Sequence, residues 1–161
     1  MKINKVSGST KLITSIAICL FAGVLGSVFT TPAIPTWYAT LIKPSFAPPN
    51  WLFAPVWTTL FIMMVISLFL VWQKGMEDLN VKNALYIFGV QLILNALWSA
   101  IFFGLRSPIA GLIEICILWI LILLTIMKFM KISRTAGLLL IPYILWVSFA
   151  AIINFFIWRL N

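Results

Sequence analysis

The chain has 161 residues and not one histidine. That absence excludes imidazole acid–base catalysis, a histidine-ligated haem and most zinc sites. Acidic residues are almost as scarce, with 3 Asp+Glu against 11 Lys+Arg, and charged residues make up only 9% of the chain. A soluble domain carries about a quarter, so a water-soluble globule is excluded as well. The two cysteines, Cys19 and Cys116, sit inside apolar runs with no CxxC spacing. They read as small buried hydrophobes rather than as a disulfide or metal ligands. There is no metal triad, no nucleophile–base pair and no nucleotide-binding loop. No internal repeat is visible, which argues against an inverted-repeat transporter.

What is abundant is apolar surface. Apolar residues are 63% of the chain and aromatic residues 15%, including 8 tryptophans. A helix crossing the hydrocarbon core needs about 20 mostly apolar residues, so the composition supplies about five. The runs lie at about 12–30, 52–73, 83–103, 109–130 and 136–158. The first follows Lys2, Lys5 and Lys11 and imitates a signal peptide. However, it is longer than a usual signal core and no A-x-A cleavage site follows, so it reads as the first membrane helix. Short connectors at 74–82, 104–108 and 131–135 make the helices antiparallel neighbours. The expectation is an all-α integral membrane protein: one domain spanning 1–161, a five-transmembrane-helix bundle with a long structured first loop.

That loop, residues 31–51, contains five prolines and the aromatics Trp37, Tyr38, Phe46 and Trp51. A flexible linker is polar or Gly/Ser-rich. A proline-stiffened aromatic segment reads instead as a packed lid.

The net charge of +8 comes from residues scattered at the ends of apolar runs, with no basic stripe. It therefore speaks for lipid headgroups and topology, not nucleic acid. Lys2, Lys5, Lys11, Lys74, Lys82, Lys128, Lys131 and Arg134 fall on one side of the bundle, which is eight. Lys43, Arg106 and Arg159 fall on the other, which is three. The positive-inside rule then places the N-terminus inside and the aromatic loop and C-terminus outside.

Polar residues within spans are costly and mark candidate sites. Gln91, Asn95, Trp98 and Phe102 share one face of the third helix. Two amides with two aromatics suit a flat ligand with polar edges, or equally hydrogen bonds to neighbouring helices. Tyr143, Trp146, Ala150, Asn154 and Trp158 share a face of the fifth, where Ala150 leaves a recess. Pro142 kinks this helix or opens its first turn. Glu114 is the one acid within a span. Lying about one and a half turns into its helix, it is expected to reach water or pair with Arg106. Ala22-x-x-x-Gly26, Gly23-x-x-x-Ser27 and Ala96-x-x-x-Ala100 permit close helix approach, within the bundle or in a dimer.

Three segments together are distinctive: PTWYATLIKPSFAPPNWLFAPVW (35–57), QLILNALWSAIFFGLR (91–106) and LLLIPYILWVSFAAIINFFIWR (138–159). With them the chain resembles the TspO/MBR family, the tryptophan-rich sensory proteins whose animal members are translocator proteins, over residues 35 to 159. The resemblance implies five transmembrane helices, a homodimer, and a pocket in the bundle beneath the first loop. It implies a porphyrin ligand such as protoporphyrin IX, or a benzodiazepine or isoquinoline-carboxamide, and no required cofactor. It also implies the site: Trp37 or Tyr38 and Phe46 from the loop, Trp57, Asn95 and Trp98, then Trp146 and Ala150. Trp51 from the lid, with Gln91 and Phe102 from the third-helix face, completes the candidate set. A bacterial cell membrane is the expected location.

Two mechanisms follow from that resemblance. Either the protein is a receptor, sensor or transporter that stacks aromatics on a flat ring, with amides, Lys43 or Arg106 at its polar edges. Or it degrades protoporphyrin IX oxidatively in light, with Trp57 and Trp146 as catalytic electron donors or radical relays and the excited porphyrin with oxygen supplying the chemistry. The family's cholesterol motif is incomplete here. Arg159 is present, but phenylalanine replaces the motif's tyrosine, which puts cholesterol transport in doubt.

Overall fold

The computed structural model describes residues 6–161; Lys2 and Lys5 of the charge count lie outside the described residues. Among the described residues, six α-helices with a 3-10 and a π-helical turn build five candidate membrane spans. Helix α1 (Gly8–Ala33) is the first span, and α2 (Trp37–Thr40) is one short turn in the loop after it. A 3-10 turn (Asn50–Leu52) leads into α3 (Phe53–Trp72), the second span. Helix α4 (Leu79–Ser99) runs on as a π-helical turn (Ala100–Gly104) to form the third. Helix α5 (Pro108–Ile132) is the fourth. The fifth is broken into α6 (Arg134–Leu139) and α7 (Ile141–Leu160).

Local chemistry explains where these elements begin and stop. Ser7, Asp78, Ser107 and Ser133 each cap a helix by accepting a backbone N–H, the shortest being Asn80 N to Asp78 at 2.8 Å. Pro108 sits in the first turn of α5, where its missing N–H costs nothing. Pro142 likewise occupies the first turn of α7. It cannot continue the backbone bonding of α6, so the fifth span breaks at Leu140. Pro32 lies inside the last turn of α1, so the helix outruns the expected end at residue 30. The Thr36 hydroxyl donates to the Pro32 carbonyl at 2.7 Å and closes that end. The third span ends on Leu105 N–H to Ala100 O at 2.9 Å, a π-type closure, before Arg106 enters the left-handed region at φ 53°.

Lipid tails are as apolar as leucine, so spans associate by close packing and interhelical hydrogen bonds. Helix α5 packs against both α4 and α7, and α1 against α3 and α4. Phe88 of α4 stacks on Phe129 of α5, with ring centroids 5.6 Å apart and planes 13° apart. The Ser67 hydroxyl of α3 donates to the Ala136 carbonyl of α6 at 2.7 Å. The Trp119 indole of α5 donates to the Ser148 hydroxyl of α7 at 2.7 Å. Cys19 is fully buried in the main core, whereas Cys116 faces outward and is not the buried hydrophobe expected. A second, smaller core of Ala33, Tyr38, Phe102, Phe103, Ile153 and Ile157 sits at the loop end.

Gly137 is where α6 folds back against α5. A Cβ there would lie 2.9 Å from the Met130 backbone nitrogen and collide with the Met130 side chain. Gly137→Ala is therefore expected to destabilise the bundle by about 1–3 kcal/mol. Thermal unfolding in lipid nanodiscs measures this, and an unchanged midpoint would contradict the packing described.

Candidate functional site

Between α1, α3, α4 and α7 lies a cavity of about 230 Å³ that opens to one side. Its walls are mostly aromatic. Trp57 and Phe61 come from α3, Trp98 from α4, Phe103 from the π-helical turn, and Phe53 and Trp146 from α3 and α7. Ala150 forms the recess expected of it, and Tyr38 reaches in from the loop. The open rim carries Ser27, Thr31, Asn50 and Ala54, all exposed.

Two polar chains hold the walls. In the first, the Asn95 amide donates to the Tyr143 hydroxyl at 2.9 Å, and that hydroxyl donates to Gln91 Oε1 at 2.9 Å. In the second, the Asn154 amide donates to the Pro108 carbonyl at 2.7 Å, so its oxygen is left to accept the Trp98 indole N–H at 3.3 Å. The polarity of the second chain is dictated by its ends, because a carbonyl only accepts and an indole N–H only donates. Trp98 is also stacked on Phe102 at 5.0 Å and 16°. Its ring is thus fixed from behind and along one edge. The Trp146 indole N–H is buried with no partner.

Of the eleven residues proposed as ligand-binding from sequence, six line the cavity: Tyr38, Trp57, Asn95, Trp98, Trp146 and Ala150. The other five do not. Gln91 is 1% exposed and lies one layer back, bonded to Tyr143. Phe102 is the backing plate of Trp98. Trp37 meets Phe102 edge-on at 5.5 Å. Phe46 packs outside the cavity, 5.4 Å from the Phe156 ring and 6.4 Å from that of Phe149. Trp51 is 71% exposed and touches none of the cavity. On α7, Trp158 has rotated out of the shared face and packs on Phe155, because repeated four-residue steps drift around a 3.6-residue helix.

Sequence reasoning missed the contribution of α1. Ala22, Gly23, Gly26 and Ser27 line the cavity with Thr30 and Thr31. The paired small-residue motifs were the available signal. A Cβ on Gly26 would lie 3.2 Å from the Ser99 hydroxyl, so glycine there keeps α1 close to α4 beside the open space. Small residues serve packing and cavity at once.

Glu114 departs from its expectation. It is buried, and neither carboxyl oxygen has a hydrogen-bond partner, so it neither reaches water nor pairs with Arg106. Lys43 lies beside Tyr38, with Nζ 4.7 Å from the Tyr38 ring centroid and donating to the Leu41 carbonyl at 3.1 Å. Burial pushes the Tyr38 hydroxyl above its ordinary value, so the phenol stays protonated at neutral pH.

Residues 15–159 match the profile of the TspO/MBR family. The chain belongs to the TspO/MBR family. It is 50% identical over 146 residues to the tryptophan-rich protein TspO of Chlorobaculum tepidum, covering 91% of this chain and 92% of that one. It is 46% identical over 152 residues to the tryptophan-rich protein TspO of Archaeoglobus fulgidus, covering 94% and 97%. The human translocator protein is 36% identical over 127 residues, covering 78% and 75%. Membership in the TspO/MBR family agrees with the five apolar spans and makes the chain an integral membrane protein.

Because both Glu114 oxygens lack partners, Glu114→Gln removes no hydrogen bond while removing an acid from an apolar interior. The variant is expected to melt at the same temperature as the parent or above it. A drop of several degrees would show that the carboxyl is held by a partner.

Proposed function

We propose that this protein is a membrane receptor or carrier for porphyrins, protoporphyrin IX above all, and for flat apolar molecules of the benzodiazepine and isoquinoline-carboxamide type. One observation carries the reading: Trp57, Trp98 and Trp146, from three different spans, face one cavity with few polar groups. Indole faces stack on flat conjugated rings, and offset aromatic pairs contribute about 0.5–1.5 kcal/mol each beyond burial. The unpartnered Trp146 N–H supplies a directional donor in dry surroundings. The enclosed space is smaller than a macrocycle, so part of a porphyrin would project through the open rim between α1 and the 50–54 segment. Lys43, beside Tyr38, would meet a carboxylate at the loop end. Relatives named for sensing and translocation support a signalling or carrier role over a purely structural one.

A second reading has its own observation. Trp57 and Trp146, the tryptophans matched to porphyrin breakdown in the family, line the same cavity. Both would contact an excited porphyrin held there: a tryptophan passes it one electron, the porphyrin anion reduces dioxygen to superoxide, and the tryptophan radical takes an electron back from the porphyrin, which is left oxidised by one electron.

Titration with protoporphyrin IX in the dark should quench tryptophan fluorescence. Ala150→Leu, which fills the recess, should weaken that binding at least tenfold without unfolding the protein. No quenching in the parent would remove both readings. Under illumination, bleaching no faster than in a Trp57→Phe/Trp146→Phe double variant would remove the degradative one.

We further propose that the N-terminus faces the cytoplasm of a bacterial cell. Lys11 Nζ donates to the Trp72 carbonyl at 3.1 Å, so the start of α1 shares an end with the loop bearing Lys74. Alkaline phosphatase fused after Asn161 should then be active in a bacterial host. An inactive fusion with a fluorescent green-protein counterpart would reverse the assignment.

A further inference from the structure

Among the described residues, the loop between α1 and α3 is held to the bundle at one polar point. Asn161 Oδ1 accepts the Ile42 N–H at 3.0 Å, and Asn161 Nδ2 donates to the Ile42 carbonyl at 3.0 Å. One side chain thus satisfies both backbone groups of one loop residue, as a neighbouring strand would. A primary amide is the side chain that carries a donor and an acceptor side by side. Asn161 is itself tied down, because Nδ2 also donates to the Ile157 carbonyl at 2.8 Å.

Among the described residues no other side-chain hydrogen bond ties the loop to the rest of the bundle. The other hydrogen bonds of the segment, from Thr36, Thr40 and Lys43, stay within it or return to the end of α1. The Ile42 side chain is 60% exposed, so burial does not hold this residue in place. Residues 42–44 have no regular secondary structure. Yet the point matters for the cavity. Leu41 N–H bonds back to the Tyr38 carbonyl at 3.4 Å, and Tyr38 lines the cavity. On the other side, Phe46 packs on Phe149 and Phe156 of the same α7 that Asn161 ends.

We propose that Asn161 is a positioning residue for the ligand cavity: its amide latches the loop at Ile42 and so keeps Tyr38 over the site. Asn161 touches no part of the cavity and acts only through the loop. The latch holds Tyr38 over one side of a cavity whose rim is already open, so the residue governs residence time more than the fit of the walls. The kinetic part rests on the porphyrin reading above; the latch itself does not.

Two measurements on Asn161→Ala and Asn161→Asp test this in nanodiscs. The first is amide hydrogen exchange over residues 37–46 without ligand. The second is protoporphyrin IX dissociation after dilution, followed by recovery of tryptophan fluorescence. Alanine removes the whole latch and should speed both exchange and dissociation about tenfold. Aspartate keeps the acceptor for Ile42 N–H and loses the donor, so it should fall between alanine and the parent. The melting temperature should stay within a degree or two, since the residue is exposed. Unchanged exchange in the alanine variant overturns the latch. Faster exchange with unchanged dissociation overturns its role in positioning. If the parent binds no porphyrin, the porphyrin reading falls, while loop exchange still decides for or against the latch.

Discussion

Inside a bilayer a polar atom has no water to fall back on, and leaving one unpaired is costly. This bundle pairs most of its interior amides and hydroxyls in two short chains, while Glu114 and the Trp146 N–H stay without a partner among the described residues. The Asn95–Tyr143–Gln91 and Trp98–Asn154–Pro108 chains join α4, α7 and the start of α5 around one space. The same bonds that tie the spans together orient two residues of the cavity wall, Asn95 and Trp98. Structure and site therefore share one set of contacts, and a change to either chain would act on both.

The cavity exists because packing is deliberately incomplete at one level of the bundle. Large rings on α3, α4 and α7 face small residues on α1, and Ala150 leaves further room on α7. Below that level, pairs such as Phe88 and Phe129 fill the interior fully. The fifth span's break at Leu140 and the π-helical turn at the end of the third are local departures from α-helix. The latter closes the loop end of the cavity, where Phe103 lines it and Phe102 backs Trp98.

Several features were legible before any fold was known. Apolar run lengths locate the spans to within a few residues, because hydrocarbon thickness sets helix length. The ends moved where local bonding extended a helix, as at Ser7, which caps α1 early, and past Pro32, where the Thr36 hydroxyl closes the last turn. On the third span, helical periodicity correctly grouped Gln91, Asn95, Trp98 and Phe102 on an inward face. It could not say which of them meet open space. Of the four only Asn95 and Trp98 do: Gln91 lies one layer back, bonded to Tyr143, and Phe102 is turned behind Trp98 although its neighbour Phe103 lines the cavity. Glu114 shows the same limit. Its place in the run suggested access to water, but the side chain is buried in the bundle.

By itself, the sequence determined the medium, the number of spans, the family and the chemistry on offer: aromatic and amide, without histidine. These depend on composition, run length and motif spacing, all local properties of the chain. Only the tertiary structure decided that α1 supplies a wall of the cavity, that Gln91 and Phe102 stand behind it, and that Asn161 meets Ile42. The last pair is separated by 119 residues. Such meetings depend on how spans are stacked and turned against one another, and no periodicity within a single helix records that.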